Sequence, residues 1–172
     1  KGIQKMFFRT QLILILSLAL ILGIAGTLIN IHFENQKRDQ NLQNVAEAIA
    51  KSPLLTGKGA AEEMFSEYLD TLKDTLDDID VISVVSKDGI RMYHSNHALI
   101  GTQYDGNLPN FKSNTDSYYA TDENGPSGSQ RRAYAAVYTE DGEYVGVVMA
   151  IMLMKNIRTE TAQMLLIFLI IT

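Results

Sequence analysis

The sequence predicts an α+β protein in which helices precede a sheet of about five antiparallel strands. Residues 11–33 form an apolar run of 23 residues without a charge, which is long enough to cross a bilayer as a helix. Apolar residues then recur at helical spacing up to residue 76, and short β-branched runs separated by turn residues follow from residue 81. Helices followed by antiparallel strands are typical of a sheet that is covered by helices.

The first apolar run is predicted to be an uncleaved transmembrane helix. Lys1, Lys5 and Arg9 precede it, and no acidic residue appears before Glu34. Residues 1–10 are therefore expected to stay in the cytoplasm. A cleaved signal peptide is the alternative, but the run is longer than the apolar segment of such peptides and lacks a convincing cleavage site.

The last 11 residues, AQMLLIFLIIT, are apolar again. Because this run is too short to cross a bilayer, we expect residues 156–172 to form a linker and the start of a second transmembrane helix. The region between the two spans, residues 34–155, is then predicted to be one extracytoplasmic domain. The expected location is a cell membrane that the chain crosses twice, in contact with lipid along both spans.

Charge and composition exclude several classes of function. All 20 acidic residues but only 12 of the 15 basic residues follow the first span, so the remainder has a formal net charge of −8 and is a poor partner for nucleic acid. The absence of cysteine excludes disulfides. The sequence contains no nucleotide-binding loop, serine-hydrolase elbow or zinc-protease motif, so this segment is expected to be non-catalytic and without a cofactor.

The elements follow in order along the chain. The first helix is expected to continue past the membrane to Ser52-Pro53, since proline disfavours helical backbone in the residue before it. Its apolar face packs either on the sheet or on a second copy of the chain: Leu42, Val45, Ala46, Ile49 and Ala50. A second helix is predicted over residues 60–76. The predicted strands are residues 81–86, 90–94, 117–121, 131–139 and 144–153.

Basic residues on two of these strands indicate an anion site. Arg91 lies on the second strand, and Arg131 and Arg132 open the fourth. If Ile90 and Met92 face the helix-covered core, alternation turns Arg91 and Tyr93 to the other face, together with one of the two arginines of the fourth strand. Arginine binds carboxylates bidentately, and the glycine-rich loop at residues 125–128 would add backbone N–H donors. The alternative is pairing with surface acids, which is common.

The two histidines at the end of the second strand are a weaker candidate for chemistry. His94 and His97 are three residues apart and could ligate a metal. Residues at this spacing need not share a face of a strand, and the other ligands of a closed site are not evident nearby. We therefore expect no metal.

The stretch SVVSKDGIRMYHSNHALIGTQY resembles the ligand-sensing segment of the citrate and C4-dicarboxylate sensor histidine kinases. Arg91, His94, Ile100 and Gly101 match the family pattern R-x-x-H-P…I-G. Further on, GPSGSQRRAYAAVYTEDGEYVGVVMAIML is similar to the loop, arginine strand and closing strand of that family. The resemblance covers roughly residues 79–155 and implies an extracytoplasmic PAS-like domain between two spans.

The resemblance also implies a set of ligand-binding residues. The family's two ligand arginines fall on Arg91 and Arg132, and the family histidine falls on His94. The remaining family positions are a hydroxyl on the first strand, an aromatic residue over the pocket, and two loop residues whose amides hold carboxylate: Ser83, Tyr104, Pro126 and Ser127. We expect Tyr134 to close the pocket together with Tyr104.

The sequence departs from the family pattern at three positions. Ser95 replaces the proline after the histidine. Tyr134 replaces a lysine of the citrate-type members, and Met149 replaces a serine. Because a third carboxylate would lack polar partners and would be costly to bury, these departures favour a small dicarboxylate or another carboxylate over citrate.

The expected function is therefore ligand sensing and transmembrane signalling in a bacterial two-component sensor histidine kinase. The ligand would be a small di- or tricarboxylate, the chain a homodimer, and the response regulator a partner only of a cytoplasmic part beyond Thr172. Two alternatives stay open. The first is that the same sensor module belongs to a chemotaxis receptor or a cyclic-nucleotide-synthesising enzyme. The second is a non-signalling, membrane-anchored structural protein, which would bind no ligand.

Overall fold

The computed structural model describes residues 2–56, 62–76, 78–111, 117–125 and 127–171. The described helices are α1 (Gly2–Ala50), α2 (Pro53–Thr56), α3 (Glu62–Thr75) and α4 (Met154–Ile171). The strands are β1 (Val81–Ser86), β2 (Arg91–His94), β3 (Ser117–Gly125), β4 (Gly128–Tyr138) and β5 (Tyr144–Leu153). The predicted α+β class is confirmed, although the four-residue helix α2 was not predicted, and residues 60 and 61 of the predicted second helix lie outside the described residues.

The chain forms two compact units. The first contains Lys1–Lys37 and Ile157–Thr172, and the second contains Arg38–Asn156. In the first unit, residues of two helices line a groove: Gly23, Gly26 and Thr27 belong to α1, and Met164 and Ile167 belong to α4. Helix α1 is the one helix in the described part of the chain that is long and apolar enough to cross a membrane.

The second unit is built on a five-stranded antiparallel sheet in the order β2-β1-β5-β4-β3. The sharp turn between β1 and β2 requires Gly89, whose φ of 82° is in the left-handed region that glycine adopts without strain. The C-terminal strand β5 lies in the centre, with β1 and β2 on one side and β4 and β3 on the other. The two hairpins that carry the basic residues are therefore joined through β5.

The register separates the side chains of the sheet into two faces. On one face Ser83 of β1 is opposite Met149 of β5, and Met149 is in turn opposite Tyr134 of β4. On the other face Val84 pairs with Tyr93, whose ring makes an edge contact with Phe65 of α3 at 6.0 Å between centroids. We call these the cavity face and the helix face.

The apolar side of α1 in the second unit is buried within one chain. Leu42, Ala46 and Ile49 have no exposed surface, and Ala50 has 4%. Burial of this kind corresponds to packing in the chain's own core. The alternative in which these residues form an interface with a second copy is therefore wrong.

Candidate functional site

A cavity of about 860 Å³ opens on the cavity face of the sheet. Its lining includes six of the eight residues that were predicted to bind the ligand: Ser83, Arg91, His94, Tyr104, Ser127 and Arg132. Tyr134 is buried beside Arg132 in an apolar cluster with Val85, Val147 and Met149. Pro126 lies outside the described residues, and as a proline it has no backbone N–H to donate.

A β-bulge in β2 brings Arg91 and His94 to the same face. Val84 pairs with Tyr93 and Val85 pairs with Arg91, so Met92 is an extra residue without a partner on β1. In a regular strand two residues three apart would point to opposite faces. The expectation that Arg91 and Tyr93 share a face, with Ile90 and Met92 in the core, is therefore wrong. Ile90 and Met92 are 37% and 41% exposed, and Tyr93 is fully buried.

Arg91 is held by the loop that follows β2. Its Nη1 donates to Thr102 Oγ1 at 2.7 Å and to the carbonyl oxygen of Gln103 at 2.6 Å. Its guanidinium carbon also lies 5.3 Å from the centre of the Tyr104 ring, in a cation–π contact. Among the described residues these hydrogen bonds use only Nη1, so Nε and Nη2 are the donors that Arg91, which lines the cavity, could offer to a ligand.

Arg132 is 7% exposed, and three neutral side chains are among its hydrogen-bond acceptors. Gln130 Oε1 accepts from Nε at 3.0 Å and from Nη2 at 2.8 Å. The hydroxyls of Tyr104 and Tyr134 accept from Nη1 at 3.2 and 3.3 Å. These contacts fix the plane of the guanidinium at the wall of the cavity.

Arg131, the neighbour of Arg132, points to the helix face as strand alternation requires. Its Nε lies 2.7 Å from Asp39 Oδ1 of α1, and both side chains are mostly buried. The question that the sequence left open, which of the two arginines joins Arg91, is answered by this geometry. Arg132 lines the cavity, and Arg131 links β4 to α1.

Tyr104 contacts both arginines of the cavity. Its ring lies against Arg91, and its hydroxyl accepts a hydrogen bond from Arg132. Since arginine can only donate, the hydroxyl proton of Tyr104 must point away from Arg132. A bound anion could accept that proton, so Tyr104 connects the two cations and also offers a donor.

His94 is half-buried, and its Nδ1 accepts from the backbone N–H of Asn96 at 2.9 Å. The proton of the neutral ring is therefore on Nε2. Burial, and secondly the positive charge of Arg91, lower the pKa of His94 below its ordinary value of 6.5. The ring is consequently neutral at pH 7, and it can still donate a hydrogen bond through Nε2–H.

Apolar side chains lie between the basic groups. Val81, Met149 and Ile151 line the cavity on β1 and β5, the two strands that separate β2 from β4. Ser83 adds a buried hydroxyl, which donates to the carbonyl of Tyr93 at 3.3 Å. The cavity thus has an arginine at each side and apolar side chains on the two strands between them, and its lining also includes the carboxylates of Asp70, Asp74 and Asp80.

The sequence did not predict the contacts of Gln130 or of Asp70. Gln130 shares a strand face with Arg132 at a spacing of two residues, and this alternation was the available signal. Asp70 of α3 accepts from the Tyr93 hydroxyl at 2.7 Å and lies 2.9 Å from His97 Nε2. Although desolvation opposes them, these hydrogen bonds lower the pKa of Asp70. Nothing in the sequence linked Asp70 to Tyr93 and His97.

A metal site at the two histidines finds no support in the described residues. Within those ranges, no three histidine, cysteine, aspartate or glutamate side chains are grouped in a way that could hold an ion. His94 uses Nδ1 for Asn96, and His97 uses Nε2 for Asp70. The arrangement is instead suited to binding an anion, because it combines two guanidinium groups with neutral hydrogen-bond donors.

The fold is similar to that of known sensor domains. The E. coli DcuS sensor domain aligns at a TM-score of 0.50 and 18% identity, covering 74% of this chain and 98% of that domain. The sensor domain of the V. cholerae histidine kinase DctB aligns at 0.61 and 15%, covering 82% and 58%. An extracellular ligand-binding receptor from Desulfohalobium retbaense aligns at 0.57 and 15%, covering 74% and 24%.

No protein-family model matches the sequence, and the search of curated proteins gives no match. The likeness to the solved structures therefore concerns the fold. It confirms the predicted PAS-like architecture of a helix-covered, five-stranded sheet.

Proposed function

We propose that the chain is the ligand-sensing and transmembrane part of a bacterial sensor histidine kinase, and that it binds a small carboxylate between Arg91 and Arg132. The observation that carries the proposal is the convergence of two guanidinium groups from separate hairpins on one cavity. The fold, which is that of sensor domains including one from a histidine kinase, supports a sensing role.

The ligand class follows from the spacing of the charges. Strands β2 and β4 are three strand positions apart, which is about 14 Å between their backbones. Side chains that lean inward from both strands would bind the two ends of a short dicarboxylate. Its apolar middle would lie over Met149 and Ile151. This arrangement favours a dicarboxylate with a short hydrocarbon spacer.

Neutral donors would complete the site. His94 Nε2–H, the Tyr104 hydroxyl and the backbone amide of Ser127 are candidates for hydrogen bonds to the carboxylate oxygens, and Ser83 and Tyr134 support the wall. Each hydrogen bond to a charged group contributes about 1.5–3 kcal/mol. Three or four of them suffice for micromolar affinity, near −8 kcal/mol, after the cost of association.

The signal would leave through the last strand. Strand β5 ends at Leu153 and α4 begins at Met154, without a loop between them. A ligand that favours one of two arrangements of β5 would bias α4 in proportion to its differential affinity. The proposal includes a second membrane span in α4, a homodimer, an extracytoplasmic position of the cavity, and contact with a response regulator through a cytoplasmic part.

The test is a titration of the 1–172 chain in lipid nanodiscs with succinate, malate, fumarate and citrate. Isothermal titration calorimetry and thermal unfolding should show saturable binding and a higher Tm for at least one dicarboxylate, and weaker effects for citrate. Dimethyl succinate, which lacks both negative charges, is the matched control ligand. If none of the four acids produces heat or a shift in Tm, carboxylate sensing is rejected.

A further inference from the structure

The surroundings of Arg132 point to a function for a residue outside the predicted site. We infer that Gln130 is a positioning residue, whose neutral amide fixes the guanidinium of Arg132 without adding a negative charge. The inference rests on the proposed function, because it concerns how the same cavity holds a carboxylate.

The contact between the two side chains occupies one edge of the arginine. Gln130 Oε1 accepts from Nε at 3.0 Å and from Nη2 at 2.8 Å. One oxygen that accepts two donors of a planar guanidinium restricts both its direction and its rotation. Gln130 is 5% exposed, so its amide has little freedom to turn away.

The neutrality of the amide matters for the ligand. Glutamate at this position would have almost the same shape, and it would bind Arg132 as an ion pair. That carboxylate would then compete with a carboxylate ligand for the charge and for the donors of the arginine. Glutamine provides the acceptor oxygen without this competition, as a site that must capture an anion requires.

Gly125 provides space for the Gln130 amide. These two residues lie on the paired strands of the β3–β4 hairpin. A Cβ atom on Gly125 would lie 2.6 Å from the amide nitrogen, oxygen and carbon of Gln130. Any larger residue would therefore push the amide from its place, and this offers a second way to disturb Arg132 without changing either polar side chain.

The experiment compares Gln130→Glu, Gln130→Met and Gly125→Ala in the 1–172 chain in nanodiscs, with succinate as the probe. Gln40→Glu is the matched control, because it makes the same charge change on an exposed part of α1. Kd is measured by calorimetry, and Tm is measured with and without succinate. The Tm without ligand is the readout that separates positioning from a purely structural role.

We expect Gln130→Glu to weaken succinate binding at least tenfold, while its Tm without ligand equals or exceeds that of the wild type through the new ion pair. Gln130→Met and Gly125→Ala should also bind more weakly, and Gln40→Glu should bind as the wild type does. A Kd of Gln130→Glu for succinate within twofold of the wild-type value would overturn this inference and would leave the proposed function standing. If Gln130→Glu does not fold, undiminished binding by Gly125→Ala has the same meaning. A wild type that binds none of succinate, malate, fumarate and citrate would overturn the proposed function together with the inference.

Discussion

Arg131 and Arg132 are adjacent in sequence but lie on opposite faces of the sheet, and this allows a stringent test of the site. Arg132→Ala removes a guanidinium from the cavity, whereas Arg131→Ala removes the same group from the helix face. The two variants have the same composition and the same net charge. A difference in ligand binding between them must therefore come from which face lost its arginine.

The size of the expected difference follows from the contacts. Arg132 already donates to Gln130, Tyr104 and Tyr134, so we count one charge-assisted hydrogen bond from it to a carboxylate. Arg132→Ala should thus cost about 1.5–3 kcal/mol of binding free energy, which is roughly a 10- to 10²-fold rise in Kd. Arg131→Ala breaks an ion pair with Asp39 whose side chains are 15% and 25% exposed. The cost should lie between that of an exposed and that of a fully buried ion pair, about 1–3 kcal/mol, and it should reduce folding stability while Kd stays unchanged.

Thermal unfolding with and without succinate measures both quantities in one experiment. At a succinate concentration of 100 times Kd, the wild type gains about 2.7 kcal/mol of stability, which raises Tm by several degrees. We expect Arg132→Ala to lose half or more of this rise. Arg131→Ala should retain the full rise, starting from a lower Tm without ligand. An equal rise in both variants, or its loss in both, would refute the assignment of Arg132 to the ligand.

Three further predictions concern the hydroxyl of Tyr104, the titration of His94 and the packing of the central strand. Tyr104→Phe keeps the ring but removes the hydroxyl that accepts from Arg132, so calorimetry should show about a 3- to 10-fold weaker affinity for succinate, and an unchanged Kd would contradict a contact with the ligand. The pKa of His94 is below 6.5 in the free protein and a bound carboxylate would raise it, so binding takes up protons and affinity should rise as the pH falls from neutral toward that lowered pKa. Without ligand the unfolded state binds more protons than the folded state at pH values just below 6.5, so the free energy of unfolding should decrease as the pH falls through this range. His94→Asn should remove both the pH dependence of affinity and that of stability. If either persists in the variant, another group causes it. In Gly146→Ala the added Cβ of β5 would collide with the backbone carbonyl of Val85 on β1, so chemical denaturation should show a loss of more than about 2 kcal/mol in the free energy of unfolding. A denaturation midpoint equal to that of the wild type would contradict the collision and show that β1 and β5 can move apart.

The regular part of the fold was predictable from local patterns. Strand β1 and strand β5 begin and end at the predicted residues, because each is a β-branched or apolar run bounded by turn residues. The limits of β4 differ by a few residues, since it begins at Gly128 rather than Arg131. Its first residues are polar, and they are held as a strand by pairing with β3 rather than by their own propensity.

The face of the residues in β2 could not be derived from alternation. Periodicity assumes a regular strand, and the bulge at Met92 breaks the period between Arg91 and His94. The contact between Tyr93 and Asp70 was likewise out of reach, because it depends on where α3 packs. The resemblance to a family brought together residues that local rules alone would have put on opposite faces, and their role in binding stays a prediction.

The central position of β5 has a consequence for biogenesis. The hairpin with Arg91 and the hairpin with Arg132 are both synthesised before β5, yet they are neighbours only through it. The pairing of Val81 with Ile151 spans most of the unit, and contacts so distant in sequence form slowly. A nascent chain that ends before Tyr144 would hold two unconnected half-sites. Competence to recognise an anion would thus be acquired at the last step of folding, when the final strand enters the middle of the sheet.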